Sequence, residues 1–236
     1  MTHKQPLPAC LTCASRNRSL FANATEAELA EIEDAKNCGH FKTGQIIFSE
    51  AQRPYGIFCV LEGKIKLTKA SGDGKEQIVR LAKAGDALGY RAVLAGERYS
   101  ASAVALDDSK VCFIPLEVFR KVMDENPAVA HDLFISLSRA LTETEQQMAT
   151  LALKPVRERL ADALLLLKKV YGDDKSPEPF SINLSRENLA NLVGTAKETV
   201  IRFLSEFKEE GMVETKGSTI ILTDTKRLLA LSKLYD

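Results

Sequence analysis

Apolar residues recur along this chain with two different periods, and the places where the period changes divide it into parts. Thr25-Glu26-Ala27-Glu28 reads as a capping box that opens a short helix running to about Lys36. From Phe41 to Pro115 the pattern is that of strands, with alternating runs such as Ile65-Lys66-Leu67 and Ile78-Val79-Arg80-Leu81. Gly44, Gly56, Gly63, Gly72, Gly74, Gly85 and Gly89 separate these runs, as expected of many short strands folded into a sandwich or jelly roll. From Pro127 to about Leu151 the period becomes helical. Leu133, Leu137, Ala140, Thr144, Met148 and Leu151 form a stripe close to a coiled-coil seam, so this helix either pairs with a second copy or lies on its own β domain. Pro155 marks a break, Val156 to Tyr171 reads as a further helix, and a loop with Pro177 and Pro179 follows.

The segment from Leu184 to Leu222 is the most specific. Ser185 caps a helix whose Leu189, Leu192 and Val193 face inward, and Gly194 permits a sharp corner. The next helix places Val200, Phe203, Leu204 and Phe207 on one stripe, with Lys197, Glu198, Ile201 and Arg202 on or beside the opposite face. Gly211 ends it, and Lys216-Gly217 joins the strand-like runs Met212–Thr215 and Thr219–Leu222. A helical hairpin with solvated charges would show the first part of this pattern; the ribbon after it is the mark of a winged helix-turn-helix. In that motif the second helix enters the major groove of DNA. Arg202 and Glu198 are then expected at base edges, Lys197 at a base or phosphate and Thr199 on the backbone, with Ser185, Arg186 and Lys216 as further DNA contacts. Thr195-x-x-Glu198 also reads as a capping box, which gives Glu198 a competing local role.

KETVIR, the KGSTI wing and the strands FKTGQIIF, GIFCVLEGKIKL, IVRLAKAGDALGY and SASAVALDDSKVCFIP resemble the Crp/Fnr superfamily of bacterial transcription regulators over nearly the whole chain. VCFIP and GDALGYRAV are nearer the Fnr branch than the cyclic-AMP receptor. The resemblance implies an α+β protein: a cysteine-bearing arm over residues 1–20, a β-roll sensor over 21–125, a dimerisation helix over 126–153 and a winged helix-turn-helix over 154–236. It implies a homodimer on a pseudo-palindromic double-stranded DNA site, with RNA polymerase as a protein partner. Cyclic-AMP receptors place a Glu just after a Gly and an Arg-Ser pair about ten residues on. Here Tyr90 follows Gly89, and the pair reads Tyr99-Ser100 with Arg98 one place early, so a cyclic nucleotide is not expected.

The cysteines offer another sensor. Cys10-Leu11-Thr12-Cys13 is a CxxC pair, and Cys112 matches the Fnr ligand in the VCxIP strand. The Fnr arm carries a further Cys that is absent between Ala14 and Ser19, which leaves Cys38 as the fourth sulfur. Cys10, Cys13, Cys38 and Cys112 are thus candidate ligands of an iron–sulfur cluster. Zinc binding, thiol–disulfide switching and purely structural cysteines stay open, and His3 or His40 could replace a sulfur. Cys59, inside Ile57–Leu61, reads as a small apolar core residue.

Charge changes the picture in one respect. The 32 basic and 32 acidic residues cancel, so DNA binding must rest on placed side chains rather than bulk charge. The first residues show no signal-peptide core and no apolar run approaches a membrane span, so a cytoplasmic protein whose cysteines are thiols or ligands is expected. No GxSxG, HExxH or P-loop is present, and Gly72-Asp73-Gly74 reads as a hairpin turn, so the chain is not expected to be an enzyme.

Overall fold

The computed structural model describes residues 9–172 and 179–233; His3 and Pro177 lie outside them. The chain divides into two compact units, Met1–Lys69 with Arg80–Leu141, and Ala70–Val79 with Thr142–Asp236.

The first unit begins with a short 3-10 turn, Arg16–Arg18, and helix α1 (Glu26–Ala35). The capping box is formed: the Glu28 N–H donates to the Thr25 hydroxyl at 3.3 Å, and the Thr25 N–H donates to the Glu28 carboxylate at 2.7 Å. Strands β1 (Asn37–Phe41), β2 (Ile46–Phe48), β3 (Gly56–Glu62), β4 (Lys64–Ala70), β5 (Glu76–Lys83) and β6 (Ala87–Leu88) follow. Helix α2 (Tyr90–Ala95) leads to β7 (Ser102–Ala105) and β8 (Ser109–Pro115), then to α3 (Leu116–Glu125) and α4 (Pro127–Leu153). The strands form two four-stranded sheets, ordered β1-β8-β3-β6 and β2-β7-β4-β5, which is the expected roll. The strand pattern did not reveal α2 or α3.

Helices cover the first sheet through one core. Leu29 and Ile32 of α1, Tyr90 and Val93 of α2, Phe119 and Val122 of α3, and Val129 and Leu133 of α4 bury against Ile57 and Ile114. Each such side chain, fully removed from water, contributes about 1.5–3 kcal/mol. Asn126 joins three of these elements. Its Oδ1 accepts from the Ala128 and Val129 N–H groups at 3.0 and 3.2 Å, capping α4, while its Nδ2 donates to Glu28 at 2.8 Å and to the Asn23 carbonyl at 3.2 Å. Burial works against the charge of Glu28, but the hydrogen bonds from Asn126 and Thr25 outweigh it and hold the carboxyl below its ordinary range.

The long helix resolves the ambiguity of its stripe. Leu133 is buried in the roll's own core, and Leu137 packs against it. Phe134, Leu141 and Met148, at 66%, 62% and 66% exposure, are spaced seven residues apart and form an exposed apolar row; Met148 belongs to the expected stripe, as does exposed Leu151, while Phe134 and Leu141 lie beside it. The N-terminal part of the expected seam therefore lies on its own domain, while its C-terminal members Met148 and Leu151 are exposed.

In the second unit α5 (Val156–Tyr171) buries Leu160, Leu164 and Leu167, one helical stripe. It packs against α6 (Arg186–Val193), α7 (Lys197–Glu209) and α8 (Thr225–Ser232). Strand β9 (Ser181–Asn183) precedes α6, while β10 (Val213–Lys216) and β11 (Thr219–Leu222) follow α7. The three strands form a sheet ordered β10-β11-β9, so the wing is three-stranded rather than the two-stranded ribbon expected. Three residues are too few to show a period, which is why β9 was not legible. Among the described residues no helix is long and apolar enough to cross a membrane.

Candidate nucleic-acid interface and cysteine cluster

The corner between α6 and α7 is built from local chemistry. The Ser185 hydroxyl accepts from the Asn188 N–H at 3.1 Å, starting α6. Gly194 ends it with φ of 72°, a left-handed conformation that a side chain would strain. Arg159 of α5 secures the corner. Its guanidinium donates to the carbonyls of Val193 and Gly194, each at 3.1 Å, and to those of Lys154 and Leu151 at 3.1 and 3.3 Å. One side chain thus ties the end of α4 to the end of α6, a role that no local spacing announces.

Helix α7 starts at Lys197 with Ala196 as its N-cap, and no side chain caps it. The Thr195–Glu198 capping box is not formed, because the helix begins one residue later than that box requires. Glu198 is left exposed beside exposed Lys197 and Arg202, with Thr199 half-buried. On the opposite stripe Val200, Leu204 and Phe207 are buried. Arg202 rests over the Phe203 ring at 4.2 Å and pairs with Glu206 at 3.2 Å. An exposed pair four residues apart is worth only about 0.3–0.5 kcal/mol, so the guanidinium is readily released. The far end of α7 is braced by Glu210, which takes ion pairs from Arg157 and Arg227.

Arg186 and Lys216 part company. Lys216 is exposed at the wing turn. Arg186 reaches across instead: its guanidinium donates to the Gly217 carbonyl at 3.0 Å and the Ser218 carbonyl at 3.4 Å, joining α6 to the wing. Partial desolvation there lowers its pKa. The sequence pattern presents Arg186 as a DNA contact; in the DNA-free fold its donors meet the wing carbonyls.

The first unit brings the cysteines together. Cys38 and Cys112 stand opposite one another on β1 and β8, with Cα atoms 3.9 Å apart, and form a disulfide. On the other side of β8, Cys59 of β3 is the register partner of Cys112. Cys10, Cys13, Cys59 and Cys112 line one cavity of about 70 Å³ beneath α1. The arm that brings Cys10 and Cys13 there is fastened to α1. The Cys10 N–H donates to Glu33 at 2.7 Å, and the Lys36 ammonium donates to Cys10 Sγ at 3.1 Å. A further bond joins the Ser15 hydroxyl to the Leu61 carbonyl of β3 at 3.0 Å. Burial, with Cys10 and Cys13 close by, pushes the Cys59 thiol up to about 12.

An iron–sulfur cluster on Cys10, Cys13, Cys38 and Cys112 requires four thiolates. Two of these sulfurs are bonded to each other, and among the described residues no three Cys, His, Asp or Glu side chains are grouped to hold a metal ion. His40, on β1, is exposed and pairs in register with Lys110. As arranged, these residues do not fit such a cluster. Cys38 meets Cys112 as a covalent partner, and Cys59 takes the place beside the CxxC pair. Cys59 packs against the core, in keeping with its reading as a small apolar residue, and only the β3–β8 register shows that it stands next to Cys112.

Tyr90 and Tyr99, at the positions where cyclic-AMP receptors carry the Glu and the Arg, are buried. Tyr99 stacks on Phe48 with ring centroids 4.0 Å apart, and burial pushes its phenol up to about 12. Arg98 donates to the Ala51 carbonyl at 2.8 Å.

Comparison with known proteins agrees with this architecture. The cyclic nucleotide-binding domain family matches residues 39–126, and the Crp-like helix-turn-helix domain family matches residues 158–231. The chain is 31% identical over 228 residues to the nitrogen fixation regulation protein FixK of Bradyrhizobium diazoefficiens, covering 94% of this chain and 93% of that protein. The chain belongs to the Crp/Fnr family of transcription regulators. Within the family it is also 27% identical over 230 residues to the transcriptional activator protein anr of Pseudomonas aeruginosa, covering 96% of this chain and 93% of the other. The fold matches FixK2 from Bradyrhizobium japonicum with a TM-score of 0.73 at 24% identity, over 83% of this chain and 96% of that one. A Crp/Fnr-family regulator from Thermus thermophilus matches with a TM-score of 0.71 at 26% identity, over 85% and 100% of the two chains. As in this family, the second unit is a DNA-binding helix-turn-helix domain.

Proposed function

We propose that this regulator binds a pseudo-palindromic operator as a homodimer and answers to redox state through its cysteines. The observation that carries the DNA half is the exposed polar face of α7, with Lys197, Glu198 and Arg202 uncommitted to the core and a wing beside them. In the bound state Arg202 leaves Glu206 for a guanine edge, Glu198 accepts from a cytosine amino group, and Thr199, Lys197, Lys216 and Ser185 meet the backbone. A bidentate base contact is worth about 1–3 kcal/mol, more than the surface pair it replaces. The two recognition helices then lie about 34 Å apart, one turn of DNA.

Support for the homodimer comes from the heptad row Phe134, Leu141 and Met148. Support for the redox half comes from packing: Cys10 and Cys59 pack against the same core that buries Val129 and Leu133 of α4. A change in sulfur bonding under α1 therefore reaches the helix proposed to pair the two copies. RNA polymerase is the protein partner expected of a regulator of this type. Anaerobic titration of the protein into a duplex selected from a random library, with and without a dithiol reductant, tests the reading. Specific binding that changes with redox state supports it; equal affinity for selected and random duplexes would remove the DNA half.

A further inference from the structure

We infer that the arm's CxxC pair is a built-in exchange partner for the cross-strand disulfide, so that the bond can move from Cys38–Cys112 to Cys10–Cys13 without an external electron donor. The inference rests on the proposed redox reading and names the reaction behind it. Three observations carry it. Cys112 lines the cavity that Cys10 and Cys13 line, whereas its partner Cys38 does not, so only the Cys112 end of the bond is offered to the arm. The two arm cysteines sit on a tight turn, the Cys13 N–H donating to the Cys10 carbonyl at 3.3 Å, a spacing that lets the second sulfur resolve a bond made by the first. Lys36 places a cation 3.1 Å from Cys10 Sγ, the counter-charge that an attacking sulfur needs, while Glu33 holds the same residue's N–H.

The chemistry balances within one chain. Cys10, as the thiolate, attacks Cys112 Sγ; the Cys38–Cys112 bond breaks and Cys38 leaves with the electron pair, taking up the proton that Cys10 gave to solvent. Cys13, having lost its proton, attacks Cys10 Sγ; the Cys10–Cys112 bond breaks and Cys112 leaves as the thiolate and is protonated. One disulfide and two thiols enter, and one disulfide and two thiols remain. Cys59 lies beside Cys112, but burial pushes its thiol up to about 12, so it stays protonated and takes no part. The transfer releases the covalent tie between β1 and β8 and closes the arm on itself, directly under the helix that packs on α3 and α4.

The experiment follows the bond after all oxidant has gone. Full-length protein carrying Cys38–Cys112 is desalted at acid pH, where exchange is suppressed, then shifted anaerobically to pH about 8. Samples are quenched in acid over time, alkylated, digested without reduction and mapped by mass spectrometry. In the wild type, Cys10–Cys13 is expected to rise as Cys38–Cys112 falls, with total disulfide constant. In Cys13→Ser the bond is expected to stop at Cys10–Cys112, with Cys38 newly alkylated. In Cys59→Ser the transfer is expected to run as in the wild type. A wild type that keeps Cys38–Cys112 with both arm thiols alkylated overturns the inference, as does a Cys59–Cys112 or Cys13–Cys112 link in place of Cys10–Cys112. Operator affinity measured on the same samples separates the two proposals. Transfer with unchanged affinity sinks the redox-response reading and leaves the exchange standing. No transfer, with affinity still sensitive to added oxidant, sinks the exchange alone.

Discussion

Arg202 and Arg186 look alike in the sequence and do different work in the fold. Arg202 is exposed and held only by Glu206 and the Phe203 ring, so Arg202→Ala is expected to cost about 1–3 kcal/mol on the selected operator and far less on random DNA. Equal losses on both in fluorescence anisotropy would deny it a base. Arg186 spends its donors on the wing turn, so Arg186→Ala is expected to disturb the wing. Amide exchange at Gly217 and Ser218 should rise in the free protein; unchanged protection there would return Arg186 to the list of direct DNA contacts. Local spacing allows Glu198 either a cap or a base contact, and the start of α7 at Lys197 removes the cap. Glu198→Gln is therefore expected to keep the melting temperature while relaxing specificity at one position of the operator. A drop in melting temperature without a change in specificity would reinstate the local role.

At the scale of elements, helix α4 shows that a stripe is divided between core and solvent only once its neighbours are in place. Its heptad spacing was legible, but which row faces outward depends on the roll beneath it. Leu133 and Leu137 are committed to that roll, whereas Leu141 is 62% exposed. Leu141→Glu is expected to give a folded monomer with an unchanged circular dichroism spectrum and lost operator binding. A dimer by light scattering would place the interface on another element. Leu137→Glu would confuse the two, since it also puts a charge against the first unit's own core. The helix-turn-helix depends in the same way on Arg159, whose four carbonyl contacts fix the corner from a different helix.

At the scale of the whole molecule, net charge is zero, so placed contacts rather than bulk attraction must bring this protein to DNA. The cysteines give the same lesson in covalent form. Cys38→Ser and Cys112→Ser remove the same bond, so both are expected to abolish oxidant-dependent DNA binding to the same degree. A Cys38→Ser variant that still responds while Cys112→Ser does not would mean that Cys112 acts without this partner. All five cysteines lie within one strand register and one arm turn of each other, and that is a property of neither segment alone.

Short-range physics made much of this protein readable from its sequence. The capping box at Thr25, Ser185 as a cap, the positive φ at Gly194, the 3–4 spacing of α7 and the helix from Val156 to Tyr171 each depend on residues within a few places of each other. The winged helix-turn-helix, the roll and the exposed turn of α7 follow from such rules. Decisions that need distant residues to meet were left to the tertiary structure. Strand register set Cys38 against Cys112 and Cys59 beside it; burial against the roll chose the outward row of α4; and Arg159 and Arg186 found their carbonyl partners 34 and 31 residues away. Spacing along a chain fixes which face a side chain occupies, but only packing of the elements determines what that face will meet.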